Sequence, residues 1–184
     1  MKRIVRDCLK TLYSEQGALK IKLRPILDSD TDNILRWRNS ASVKSNFIYR
    51  RLLTAETHLN WLQNNVYVGK AIQYIIEVDE SNFPIGSIYL RDIDLQNESG
   101  ELGIFIGEKE YIAKGYGKLA IKTFIPLCFS LGFHRVFLRV FKDNILAQKA
   151  YLDVGFTIEG IARDMVCING KRKDVIFMSL TNDF

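Results

Sequence analysis

Within residues 108–121, EKEYIAKGYGKLAI, Gly115, Gly117 and Ala120 spell G-x-G-x-x-A at the start of an apolar run with helical spacing. Glycines placed this way let the main chain approach a ligand with no Cβ in between, and a helix N-terminus offers unbonded N–H groups and the positive end of its dipole. The chemistry indicated is the binding of a phosphate or pyrophosphate. A dinucleotide fingerprint needs its glycines directly after the first strand of a βαβ unit. Here eight residues, Gly107 to Lys114, separate them from a strand ending at Ile106. A Walker A loop is excluded because Gly117 and Lys118 are followed by Leu119, where Ser or Thr is required. A main-chain cradle built from Ala113, Lys114, Gly115, Tyr116, Gly117 and Lys118 and a plain strand-to-helix turn both stay open on spacing alone. The two histidines, His58 and His134, and the three cysteines, Cys8, Cys128 and Cys167, are too scattered for a zinc site or a disulfide framework, so no metal is expected.

The elements that would position these residues follow from periodicity. Residues 1–18 place Ile4, Val5, Cys8, Leu9, Leu12 and Tyr13 on one helical face and Lys2, Arg3, Arg6 and Lys10 mostly on the other. This predicts an amphipathic helical extension ahead of a domain over residues 19–184. Such a helix packs on its own domain or on a second subunit, as in a homodimer, or lies on a membrane surface. Residues 20–26 read as a strand ended by Pro25, and Ser29 or Asp30 can cap a helix through Ile34, Leu35 and Arg38. Thr54 is a second N-cap candidate, with His58, Trp61 and Leu62 sharing a face of the helix it opens. Residues 73–78, 85–93 and 101–106 are β-rich and short-linked, which predicts an antiparallel meander. A helix over 117–131 carries Pro126 inside it, which predicts a kink. Residues 135–141 form a further strand, and Asn144 can cap a helix that ends at Gly155. Finally, 156–168 and 171–180 flank Asn169-Gly170, a two-residue hairpin signal. The whole reads as one α+β domain.

At 184 residues and 47% hydrophobic content the chain can bury a single respectable core. It has no run near the ~18 apolar residues of a membrane span and no apolar signal-peptide segment, so a cytoplasmic protein is expected. The net charge of +5 raises the prospect of nucleic acid. Apart from Arg50-Arg51 and Lys171-Arg172-Lys173, however, the positive residues are scattered, and they do not interleave with aromatics. No nucleic-acid partner is expected; a phosphate-bearing small molecule suits the excess equally well.

The order of elements, together with ELGIFIGEKEYIAKGYGKLA (101–120), DNILAQKAYLDVGF (143–156) and EGIARDMVCINGKRKDVIFMSL (159–180), resembles the GNAT superfamily of acetyl-CoA-dependent N-acetyltransferases over about residues 21–180. It looks most like the RimJ/RimL-type branch. The segment RWRN (36–39), with Thr54, His58 and Trp61, further resembles enzymes that acetylate nucleotide-linked amino sugars. The resemblance implies a GNAT-like central sheet, mixed and mostly antiparallel, splayed between the fourth and fifth strands and flanked by helices. It implies transfer of acetyl from acetyl-CoA to the primary amine of a small acceptor. Acetylation of a ribosomal or other protein N-terminus and polyamine acetylation are the alternatives within that class, and a non-catalytic acyl-CoA-binding module is the alternative outside it.

The resemblance also implies roles for residues. The family pattern Q/R-x-x-G-x-G/A falls on residues 112–117, with Ile112 where Gln or Arg is usual and Ala113 where glycine is common. Alanine costs little there if its φ is negative. Unpaired main chain of Phe105 and Ile106, next to Ile104, would hold the pantetheine and polarise the thioester oxygen. Asn144 and Ala147 would touch the cofactor arm, although capping also accounts for Asn144. Tyr151 corresponds to the tyrosine that protonates the departing sulfur; packing with Ala147, Ala150 and Val154 is its other reading. An aliphatic amine with a pKa near ~10 must lose a proton before attack, for which Glu101 is the first candidate and His58 the second. Arg36, Arg38, Asn39, His58 and Trp61 would line the acceptor pocket, the arginines suited to phosphate.

Overall fold

The computed structural model describes residues 10–182. Among them the chain forms β1 (Leu12–Gln16), β2 (Leu19–Pro25), α1 (Thr31–Asn39), α2 (Ala41–Lys44), α3 (Ala55–Trp61), β3 (Ile72–Val78), β4 (Phe83–Asp94) and β5 (Ser99–Ile106). There follow α4 (Tyr116–Ser130), β6 (Arg135–Phe141), α5 (Ile145–Leu152), β7 (Thr157–Ile168) and β8 (Lys171–Thr181). The strands make one eight-stranded sheet in the order β1-β2-β3-β4-β5-β6-β8-β7.

The meander is antiparallel, as the short links require, with β3 pairing β4 and β4 pairing β5. Ile72 to Glu77 are buried throughout because both sheet faces are covered. On one face α4 packs Ala120, Phe124 and Cys128 into the main core, with the Phe124 ring 5.8 Å from that of Tyr74. On the other, Ile34, Trp37 and Leu62 pack over Ile75 and Phe105 in a second cluster. Local signals hold where chemistry dictates them. The Thr54 hydroxyl accepts from the Thr57 amide at 3.2 Å, and Asn169 and Gly170 take φ of 50° and 76° in the β7–β8 turn. Helix α4 is continuous through Pro126.

The expected N-terminal helix is not borne out where it can be followed. Leu12–Gln16 is a strand in register with β2, from Leu12↔Leu23 to Gln16↔Leu19, while residues 1–9 lie outside the described residues. Gly17, at φ +60°, supplies the left-handed turn that folds β1 back on β2. Sheet pairing thus overrides a helical spacing that, at Leu12 and Tyr13, rested on the residues before them.

The feature that opens the sheet lies between β5 and β6. They run parallel, but pairing is confined to Ser99↔Arg135, Gly100↔Val136 and Glu101↔Phe137. Beyond that point β5 stays with β4 out to Ile106, and β6 stays with β8 out to Phe141↔Val175. The strands therefore part into a wedge. The expected splay is present, one strand further along because β1 had not been anticipated.

The segment leaving β5 is tightly fitted. A Cβ on Gly107 would lie 2.0 Å from Cγ of Trp37, whose indole is 1% exposed and donates to Glu108 Oε1 at 2.8 Å. Gly107→Ala is expected to cost about 1–3 kcal/mol by overpacking. That would lower the urea midpoint at unchanged m value; an unchanged midpoint would mean the indole shifts freely.

Candidate active site

A cleft of about 750 Å³ occupies the wedge and extends beneath α1 and α3. Its first wall is the main chain of β5. Opposite residues in an antiparallel pair alternate between bonded and non-bonded, and the Gly107 amide donates to Ile85 O at 2.7 Å. In the same register Phe105 is bonded to Ser87, so the N–H and C=O of Ile104 and Ile106 turn toward the gap, where β6 no longer pairs. This corrects the expectation for Phe105: its main chain belongs to the sheet, and the open groups are those of Ile104 and Ile106.

The second wall is the glycine loop. The first backbone bond of α4 runs from the Leu119 amide to Gly115 O, which leaves the amides of Gly115, Tyr116, Gly117 and Lys118 without a main-chain acceptor. Gly115 has φ +94° and Ala113 φ +61°, with Lys114 between them at negative φ. Alternating hands of this kind curl successive N–H groups toward one point and make an anion-binding concavity. The condition for an inexpensive alanine, a negative φ, is therefore not met at residue 113. The turn demands a left-handed residue there, and alanine adopts that conformation at a cost of about 1–2 kcal/mol. Ile112, Ala113, Gly115, Gly117 and Lys118 line the cleft. Lys114 and Tyr116 do not, and the Tyr116 ring packs edge-on to Tyr111 at 5.3 Å.

Tyr151 faces the wedge from α5. It is 9% exposed, lines the cleft, and its hydroxyl has no hydrogen-bond partner among the described residues. Burial pushes the phenol well above its ordinary value, so it keeps its proton at neutral pH. Asn144 caps α5 by accepting from the Ala147 amide at 3.2 Å, and its Nδ2 donates to Asn46 Oδ1 at 3.2 Å. Both Asn144 and Ala147 line the cleft.

The other end of the cleft holds the charges. Glu101, 4% exposed, accepts from Arg139 Nε at 2.9 Å and Nη2 at 2.8 Å, and from Arg91 Nη2 at 3.1 Å. Burial alone would raise this carboxyl, but the hydrogen bonds from Arg139 and the two positive charges outweigh it and hold it below the usual range. Glu101 is thus held ionised by three charged hydrogen bonds, which suits it to positioning and not to taking a proton. His58 is the reverse case. The Thr31 hydroxyl donates to Asp28 O at 2.7 Å, so at 3.1 Å it accepts from His58 Nδ1. That bond fixes the tautomer: Nε2 carries the lone pair, and it is buried without a partner. Burial lowers the imidazole's pKa and keeps it neutral.

Of the expected acceptor residues, Arg38, His58 and Trp61 line the cleft. Arg36 does not: it pairs with Glu108 on a separate surface groove. Asn39 is occupied with the Leu53 backbone, donating to its carbonyl and accepting from its amide, each at 2.9 Å. Arg91, Arg139, Tyr89 and Phe47 line the same end and were not anticipated. Arg91 and Arg139 sit opposite Glu101 or one strand over, a relation that only the strand register reveals.

Residues 20–157 match the acetyltransferase (GNAT) domain family. The chain belongs to this family of acetyl-CoA-dependent N-acetyltransferases. It is 26% identical over 140 residues to uncharacterized protein MJ1062 of Methanocaldococcus jannaschii, a match covering 74% of this chain but only 28% of that protein's length. It is 26% identical to the uncharacterized N-acetyltransferase p20 of Bacillus licheniformis, over 94% of this chain and 96% of that protein. With a spermidine N(1)-acetyltransferase of Escherichia coli the identity is 27%, over 89% of this chain and 87% of that protein. The fold matches that of a Vibrio cholerae spermidine N-acetyltransferase solved with CoA and spermine, with a TM-score of 0.81 at 23% identity over 88% and 95% of the two chains. It also matches Mycobacterium smegmatis RimJ solved with CoA-disulfide, with a TM-score of 0.83 at 16% identity over 96% and 90%. The unclaimed amides at 115–118 and the open edge of β5 fit a CoA, one group for its pyrophosphate and the other for its pantetheine. No helix among the described residues is long and apolar enough to cross a membrane.

Two outcomes test this geometry. Ala113→Gly relieves the left-handed strain and is expected to leave the acetyl-CoA KM unchanged or lower, whereas Ala113→Val raises it at least several-fold. Equal KM values for all three proteins would show that the loop does not hold the cofactor in this conformation. Glu101→Gln is expected to lower stability at pH 7 by about 2 kcal/mol, the scale of a charged hydrogen bond. Because the folded pKa of Glu101 is depressed, that difference is present above the ordinary carboxylate value and fades as pH falls through the lowered one. Denaturant melts at pH 7 and pH 3 check it, and a difference of the same size at both would refute the assignment.

Proposed function

We propose that this chain moves the acetyl group of acetyl-CoA to the primary amine of a small acceptor, with a nucleotide-linked amino sugar as the first acceptor to try. One observation carries the reading: Gly115, Gly117 and Lys118 with their free amides, the open edge of β5 at Ile104 and Ile106, and Tyr151 all line a single cleft. Acetyl-CoA supplies the acyl thioester. The amides of residues 115–118 bind its pyrophosphate, and the main chain of Ile104 and Ile106 binds the pantetheine amides and stabilises the charge that grows on the carbonyl oxygen. Such donors are set by the sheet before reaction and need no reorganisation.

Tyr151 is the proton donor to the departing sulfur. Burial keeps the phenol protonated at neutral pH, so it has a proton to give. The neutral imidazole of His58 keeps an unbonded lone pair at Nε2, so we assign it, directly or through water, to receive the amine proton. Glu101 keeps a positioning role.

The test is CoA release from acetyl-CoA across amino sugar nucleotides, polyamines, aminoglycosides and peptide N-termini. Turnover with one class and not the others identifies the acceptor. Thermal stabilisation by acetyl-CoA with no turnover at all would instead make the chain an acyl-CoA-binding module. Tyr151→Phe is expected to reduce kcat by about 10²-fold or more, the usual contribution of a general acid, with the acetyl-CoA KM within two-fold. Parallel loss of affinity and turnover would assign the tyrosine to packing.

A further inference from the structure

Several arginines of this fold find carboxylates. Arg24 pairs with Asp30 and Glu77, Arg36 with Glu108, Arg135 with Glu159 and Arg139 with Glu101. Arg38 does not. It projects from α1 into the cleft with its Cζ 3.4 Å from the centre of the Phe47 ring, and it makes no hydrogen bond or ion pair with any described residue. Its surroundings add positive charge: burial is the main influence lowering its pKa, and the charge of Arg91 lowers it further, against an opposing effect of Tyr89. A half-buried guanidinium without an anion carries a desolvation cost, and Arg cannot relieve it by losing its proton.

The charge balance of this end of the cleft points the same way. Three guanidiniums, those of Arg38, Arg91 and Arg139, line it against the single carboxylate of Glu101. Asp92 is outside the lining, 67% exposed and 3.7 Å from Arg91 Nε. Asp28 and Asp30, the carboxylates that act on neighbouring His58, are held by the Tyr67 hydroxyl and by Arg24. None of them neutralises Arg38. A polyamine would bring further ammonium groups into this positive field.

We infer that the acceptor amine carries an anionic group, a phosphate or a carboxylate, which binds the guanidinium of Arg38 with Arg91 beside it. The planar fork of Arg38 gives two parallel N–H···O bonds to such a group, and the Phe47 ring holds it in orientation. Arg139 and Glu101 keep Arg91 in place through the shared carboxylate. The inference rests on the transferase reading and narrows its acceptor.

The experiment compares matched acceptors with the intact chain. Glucosamine 6-phosphate is set against glucosamine, an α-amino acid against its amide, and a nucleotide-linked amino sugar and spermidine are assayed alongside, all by CoA release. The anionic member of at least one pair is expected to exceed its neutral partner in kcat/KM by 10-fold or more, which separates phosphate from carboxylate as the source. Arg38→Gln should remove that preference while leaving the acetyl-CoA KM unchanged, and Arg38→Lys should restore part of it. Higher kcat/KM with spermidine than with every anionic amine, or equal loss with neutral and anionic acceptors in Arg38→Gln, overturns the proposal. Binding is read independently of turnover, by thermal stabilisation of the CoA-saturated protein with the anionic amines. Stabilisation by an anionic amine that is lost in Arg38→Gln supports the subsite even if nothing is acetylated, an outcome that would sink only the transferase reading. No anionic stabilisation and no anionic preference would sink the subsite. A circular dichroism melt of each variant separates loss of the subsite from loss of the fold.

Discussion

The rest of the molecule depends on where β5 and β6 stop pairing. Each strand is already committed on its far side, β5 to β4 and β6 to β8, so parting them leaves one free edge on each. An open edge inside a protein is unfavourable, because buried N–H and C=O groups without partners cost free energy comparable to a lost hydrogen bond. The fork is stabilised at its vertex by Glu101, the last paired residue of β5, whose carboxylate is bonded from Arg91 on β4 and Arg139 on β6. Three strands are thus joined through one buried anion at the point where main-chain pairing ends. What lies beyond is a row of polar groups matched to a ligand that is itself a chain of amides.

The remaining elements set the opposite walls at fixed distances from this edge. α4 follows β5 through the loop at 107–115 and directs its unbonded amides into the same cleft, because the left-handed turns at Ala113 and Gly115 rotate the chain toward it. α5 follows β6 and carries Tyr151 on the other lip, with the helix start fixed by the Asn144 cap. The same asparagine reaches Asn46, beyond α2, so the wall built by α1 and α2 is tied to the wall that carries Tyr151.

Much of this was legible in the sequence, for reasons that differ by residue. Thr54, Asn144 and Asn169-Gly170 were readable because capping and tight turns are local and depend on a few residue types. The splay came from family resemblance, as did the roles proposed for Tyr151 and the glycine loop, since nothing in periodicity distinguishes a parted strand pair from a continuous one. β1 was misread because Leu12 and Tyr13 continue a helical spacing, and only the partner strand decides the matter. Arg36 and Arg38, two residues apart, looked equivalent, yet a helix turns about 200° between them, so one meets Glu108 and the other the cleft. Arg91 and Arg139 left no local signal at all. Their meeting at Glu101 depends on cross-strand register, which is a tertiary property.

That division also bears on what structural likeness can transfer. The CoA end of the cleft is made mainly of backbone: amides at a helix start and a strand edge. Side chains there can drift, as Ile112 and Ala113 have, while the fold still presents the same donors. The acceptor end is made of side chains from α1, β4, β5 and β6, and each can change without disturbing the sheet. A TM-score of 0.81 to a spermidine N-acetyltransferase therefore speaks for the shared fold and leaves the acceptor to local charge. Here that charge is three arginines around one carboxylate, with Arg38 unpaired, an arrangement that attracts an anion and repels a polycation. On physical grounds the proposed acceptor follows the charge at that end of the cleft and not the relatives' names.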